Sequence, residues 1–69
     1  MPEEEAQAIA QRLNMVLWWY AESPGLWEDY SVASQAMSLA IALLAEWGYH
    51  LVYIGRLGFY GYRATKKGL

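Results

Sequence analysis

Gly48 divides this chain into two stretches with different hydrophobic periods. Before it, apolar residues return every three or four positions, as Ile9, Leu13, Val16, Leu17 and Tyr20, then as Met37, Ala40, Ile41, Leu44 and Trp47. That is the spacing of helices that bury one face. After it, Tyr49 to Ile54 and Phe59 to Thr65 are rich in aromatic and β-branched residues, with Gly55-Arg56-Leu57-Gly58 between them. Two such runs around a glycine-bearing connection predict a β-hairpin. The expected fold class is α+β: two main helices, then a C-terminal hairpin, in a single domain over 1–69.

Local signals place the boundaries. Pro2 suits a first helical turn, where its missing N–H costs nothing, and Glu3, Glu4 and Glu5 complement the helix dipole, so a helix is expected over about 2–22. Its buried stripe is read as Ile9, Leu13, Val16, Leu17 and Tyr20, with Gln7, Gln11 and Asn14 outside. Ser23-Pro24-Gly25 breaks it. Residues 23–30 read either as a loop or as a short third helix capped by Ser23. A second helix over about 31–47 is expected to be nearly all buried, because Leu39 and Leu43 widen its apolar stripe; its small side carries Ser31, Ser34, Gln35, Ser38, Ala42 and Ala45. Pairing Ile54 with Phe59 in a hairpin over about 49–65 puts His50, Val52, Ile54, Phe59, Gly61 and Arg63 on one face, expected against the helices. Leu51, Tyr53, Tyr60 and Tyr62 fall on the other.

The chain has 69 residues, 57% of them hydrophobic, and no cysteine. Disulfides and thiolate metal sites are excluded, and with one histidine a transition-metal site is not expected, so packing alone must hold the fold. Eleven aromatic side chains exceed what so small an interior holds. Some must face a partner, and a homodimer is the simplest one. Trp18 and Trp19 lie about 100° apart on a helix, so one of them is expected at an interface. Trp27, Tyr53, Tyr60 and Tyr62 are the other candidate interface residues. The longest uncharged run, Tyr30 to Ala45, falls short of the roughly 20 apolar residues of a spanning helix and contains three serines and a glutamine. With an acidic start in place of a basic signal region, a cytoplasmic protein outside the membrane is expected.

Charge is unevenly distributed. All seven acidic residues lie in 1–46 with only Arg12 against them, for −6; Arg56, Arg63, Lys66 and Lys67 give 47–69 a charge of +4. Cations interleaved with Tyr53, Phe59, Tyr60 and Tyr62 suit contact with phosphates or stacking on bases. Catalysis has no comparable support: His50 has no evident partner, Glu28-Asp29 reads as a charge complement to a helix start, and Gly55-Arg56-Leu57-Gly58 lacks the ending of a phosphate loop. Neither an enzyme nor a cofactor or small-molecule substrate is expected.

The run Leu43-Leu44-Ala45-Glu46-Trp47-Gly48-Tyr49, a strand, a glycine turn and Tyr60-Gly61-Tyr62-Arg63-Ala64-Thr65-Lys66-Lys67-Gly68-Leu69 resemble the recognition-helix end and wing of winged-helix regulators of the MarR and PadR sort. The resemblance covers about the last 27 residues. It implies a dimeric DNA-binding transcription regulator whose pre-wing helix enters the major groove and whose wing-tip arginine, Arg56 here, reaches the minor groove or backbone. Arg63, Lys66 and Lys67 would then join Arg56 on phosphates, with Ser34, Gln35 and Ser38 near bases. The pre-wing helix departs from the pattern in carrying no Lys or Arg. The alternative from the same residues is a protein-interaction module, an inhibitor or assembly factor, anchored on a protein partner by exposed Trp and Tyr.

Overall fold

A computed structural model describes residues 2–22, 30–56 and 59–68. Helix α1 spans Glu3–Glu22, helix α2 Tyr30–Glu46, strand β1 Tyr49–Arg56 and strand β2 Phe59–Lys66. This is the expected order of two helices and a C-terminal antiparallel hairpin. Residues 23–29, which include Trp27 and Glu28-Asp29, lie outside the described residues, as do Leu57 and Gly58.

The ends of the helices follow from local chemistry. The Pro2 carbonyl accepts hydrogen bonds from the Glu5 and Ala6 amides at 3.1 and 3.2 Å, closing the first turn of α1. At the other end of the helical pair, the Trp47 and Gly48 amides donate to Leu44 and Ala45 at 3.1 Å each, a tightened last turn that uses carbonyls α2 would otherwise leave unpaired. Gly48 then takes φ +84°, the left-handed conformation that glycine adopts without penalty, and the chain reverses into β1. The Lys67 amide closes the turn by donating to Gly48 O at 2.8 Å.

The hairpin register is Arg56 opposite Phe59, Ile54 opposite Gly61, Val52 opposite Arg63 and Leu51 opposite Ala64. This corrects the expected pairing of Ile54 with Phe59 by two residues, which leaves the membership of each face unchanged because strand side chains alternate with period two. The packed face is corrected as well. Tyr49 and Ala64 are buried and Leu51 and Tyr62 half-buried, though Tyr53 and Tyr60 beyond them are exposed; of the face expected to pack, His50, Val52 and Arg63 are exposed, while Gly61 is buried against Asn14 and Ile54 is half-buried. The tyrosine-bearing face meets the helices because its Leu51 and Ala64 lie opposite each other next to Tyr49, whereas burying the other face would take the charge of Arg63 out of water.

The core is small: Ala6, Ala10 and Leu13 from α1, Ala40 and Leu44 from α2, and Tyr49 and Ala64 from the hairpin. Leu44 is the large side chain at its centre, fully buried. Alanines let the three elements approach closely, but they also leave larger neighbours outside. Ile41, Leu43 and Trp47 are about half exposed and Leu39 is 64% exposed, so the expectation that α2 is nearly all buried is not met. Two helices and one hairpin supply too few layers to cover both sides of α2. The molecule is accordingly flat, 42 × 28 × 17 Å, with a radius of gyration of 12.6 Å where about 11 Å is usual for this length.

Helix α1 is oriented opposite to expectation on one side. Gln7 is half-buried and Asn14 is 2% exposed, because both amides pair with the main chain of β2. Gln7 Nε2 donates to Ala64 O at 2.5 Å and Oε1 accepts from Ala64 N at 3.2 Å. Asn14 Nδ2 donates to Tyr62 O at 2.8 Å and Oδ1 accepts from Tyr62 N at 2.6 Å. Trp18 Nε1 donates to Tyr60 O at 2.8 Å. Residues 7 to 18 rise about 16 Å along a helix and residues 64 to 60 about 13 Å along a strand, so the two ladders run nearly in step. Side-chain amides thus occupy the place of a third strand.

Candidate functional site

Two kinds of surface emerge from this packing, one cationic and one apolar. Where α1 crosses the hairpin, a concavity of about 450 Å³ opens between Gln7, Gln11 and Asn14 on the helix and Arg56 and Arg63 on the strands, with Ile54 and Tyr62 between them. Beside it, glycine at 61 lets α1 sit close to β2: a Cβ there would lie 2.7 Å from Asn14 Oδ1. The amides of Gln7 and Asn14 are committed to β2. Arg56, Arg63 and Gln11 are the exposed polar groups around the opening, and their donors suit an anion such as a phosphate.

The other predicted nucleic-acid residues are placed elsewhere. Lys66 stands opposite Tyr49 on the helix-packed face, and Lys67 lies at the rim of an apolar groove formed by Met37, Ile41 and Ala45 of α2 against Tyr49 and Leu51. Ser34 and Ser38 line a separate groove with Leu17 and Met37, and Gln35 is exposed on α2. The fold therefore joins Arg56 to Arg63 in one concavity, which none of the three polar residues of α2 lines.

The predicted interface residues also divide. Trp18 is bonded through its indole to β2, while Trp19 is 58% exposed, with Tyr20 edge-on at 5.2 Å. Tyr53 and Tyr60 are exposed, and Tyr62 is half-buried with its ring 5.4 Å from that of Tyr53. A third groove, between α1 and α2, is lined by Ile9, Leu13 and Val16 against Leu39 and Leu43. Among the described residues, eleven large apolar or aromatic side chains are between 40% and 65% exposed.

Sequence reasoning missed Gln7, Gln11 and Asn14 as residues facing the hairpin. Their signal is legible in retrospect: with Trp18 they fall at i, i+4, i+7 and i+11, one stripe of hydrogen-bonding side chains on a single helix face. Among the described residues no group of three His, Asp or Glu could hold a metal ion, and no helix is long and apolar enough to cross a membrane. No protein-family model matches this chain, and neither does any curated protein or any solved structure.

Proposed function

We propose that this protein is a non-catalytic interaction module that works as a homodimer. The observation that carries the reading is the apolar surface left uncovered by its own fold: eleven large side chains, among them Met15, Trp19, Leu39, Leu43 and Trp47. Exposed groups of large apolar side chains mark interaction sites, and aromatic residues with Met are what interface centres favour. The total accessible surface adds a magnitude. It is 5291 Å², against about 4,400 Å² for a compact monomer of this mass. The excess of about 900 Å² is close to the roughly 800 Å² that each partner contributes to a standard interface.

A second reading, nucleic-acid binding by a winged-helix-like regulator, is favoured by one observation, the sharing of a single concavity by Arg56 and Arg63. Against it stands the absence of Ser34, Gln35 and Ser38 from the lining of that concavity, on a helix that carries no cation. Light scattering across a concentration series, with anisotropy of labelled duplex and single-stranded DNA in the same buffers over a salt series, tests both readings. A mass of twice 7.9 kDa without DNA binding supports the interaction module. Binding that weakens steeply with salt, with a slope reduced by Arg56→Ala, would transfer the assignment to nucleic acid.

A further inference from the structure

We propose that the partner is a second copy of this chain, joined to the first through the free edge of β1 in antiparallel register about a two-fold axis at Val52. The proposal rests on the homodimer reading and specifies its geometry.

The edge is identified by parity. In an antiparallel pair, opposed residues alternate between those that exchange two hydrogen bonds and those whose amides and carbonyls point outward. Ala64 and Tyr62 give their main-chain groups to Gln7 and Asn14, and Tyr60 gives its carbonyl to Trp18. Their opposites on β1 are Leu51, Tyr53 and Gly55, so the amides and carbonyls of those three point away from β2. Among the described residues no main-chain hydrogen bond outside the hairpin reaches them. Helix α1 has closed one edge of the sheet and left the other open.

That open edge has little of the usual protection, since the one Lys, Arg, Asp or Glu on β1 is Arg56 at its end. Residues 49–55 contain no Lys, Asp, Glu or Pro, and Val52 and Tyr53 are 40% and 58% exposed. Natural edge strands avoid pairing by carrying such residues, so an edge this lightly guarded, with exposed apolar side chains, is built to be paired.

Self-complementarity of one strand edge about a two-fold axis selects a second copy, and the spacing of like charges selects its register. With Val52 opposite Val52 of the second copy, Leu51 meets Tyr53, and these residues exchange about four main-chain hydrogen bonds across the axis. Arg56 then falls opposite Gly48 of the other copy, just before the first residue of its β1, so the two arginines lie at opposite ends of the paired strands. The neighbouring register, centred on Tyr53, sets Arg56 opposite His50 instead and brings the two arginines two residues nearer each other along the pair. The product is a four-stranded sheet capped at each end by α1.

The test is disulfide cross-linking of the full chain, which has no cysteine of its own. A pair facing each other across the axis without exchanging hydrogen bonds has Cα atoms about 4.5 Å apart, within disulfide range. Val52→Cys is expected to form a covalent dimer under mild oxidation, while Thr65→Cys, on the far strand, and Leu39→Cys, on α2, do not. Val52→Lys places two ammonium groups face to face at an exposed position; it is expected to keep the circular dichroism of the parent and raise the dimer dissociation constant about tenfold or more. A dimer that cross-links through Leu39→Cys or Tyr53→Cys but not Val52→Cys, or whose dissociation constant Val52→Lys leaves unchanged, overturns the β1 geometry and leaves the interaction module standing. A parent chain that stays monomeric at every concentration removes the homodimer reading and this proposal together.

Discussion

Asn14 makes the most demanding test of how this fold is held. It is 2% exposed and spends both ends of its amide on Tyr62, accepting at 2.6 Å and donating at 2.8 Å. Asn14→Ala strands one main-chain donor and one acceptor. Each costs about 1–3 kcal/mol when buried, and taking the lower part of that range because Tyr62 is half-buried gives about 2–4 kcal/mol. Alanine returns about 0.6 kcal/mol through better helix propensity, so a net loss of about 1.5–3.5 kcal/mol is expected. A domain of this length has about 3–10 kcal/mol in total. The loss is therefore large enough to shift a urea midpoint well beyond error. The measurement is urea unfolding followed by tryptophan fluorescence and circular dichroism, at one fixed protomer concentration because dimerisation contributes to apparent stability. Gln11→Ala is the control: it lies on the same helix stripe but is exposed, and a change within about 0.5 kcal/mol is expected. Equal effects of the two substitutions would refute the idea that side-chain amides replace a third strand.

Three further outcomes follow from the same geometry. Gly61→Ala puts a Cβ 2.7 Å from Asn14 Oδ1 and is expected to cost about 1–3 kcal/mol in the same unfolding assay; combined with Asn14→Ala the costs should be less than additive, since the truncated residue no longer clashes. Gly48→Ala meets no atom within 4 Å but must adopt φ +84°, so a loss of about 1–2 kcal/mol with unchanged oligomeric state is expected from denaturation and light scattering. Trp18→Phe removes the hydrogen bond to Tyr60 and should lower stability by about 0.5–1.5 kcal/mol, whereas Trp19→Phe should change stability by less than about 0.5 kcal/mol, a contrast read from paired urea titrations.

The order of elements was legible in the sequence because each boundary has a short-range cause. Pro2 with three glutamates starts α1, the change of period at Gly48 ends α2, and two aromatic runs around a glycine-bearing link make the hairpin; the observed bounds differ from expectation by one residue at most ends. The candidate surfaces were legible only in part. The charge asymmetry pointed to Arg56 and Arg63, and the fold brings them together, but nothing local keeps Ser34, Gln35 and Ser38 from lining the same concavity, which depends on the angle at which α2 crosses the sheet.

Which face each element buries was decided by tertiary structure. A helix reading that sorts residues by hydrophobicity places Gln7 and Asn14 outside, because it assumes an apolar neighbour. Here the neighbour is the edge of a strand, whose unpaired amides and carbonyls are satisfied by groups that both donate and accept, and Gln and Asn are the side chains that do so. The hairpin faces were ambiguous for a related reason: both carry apolar residues, and the choice went to the side where Tyr49, Leu51 and Ala64 meet Leu44 and the alanines of α1. Local sequence determined what each segment is; only contact between segments determined what each one touches, since hydrogen-bond satisfaction and close packing are properties of pairs.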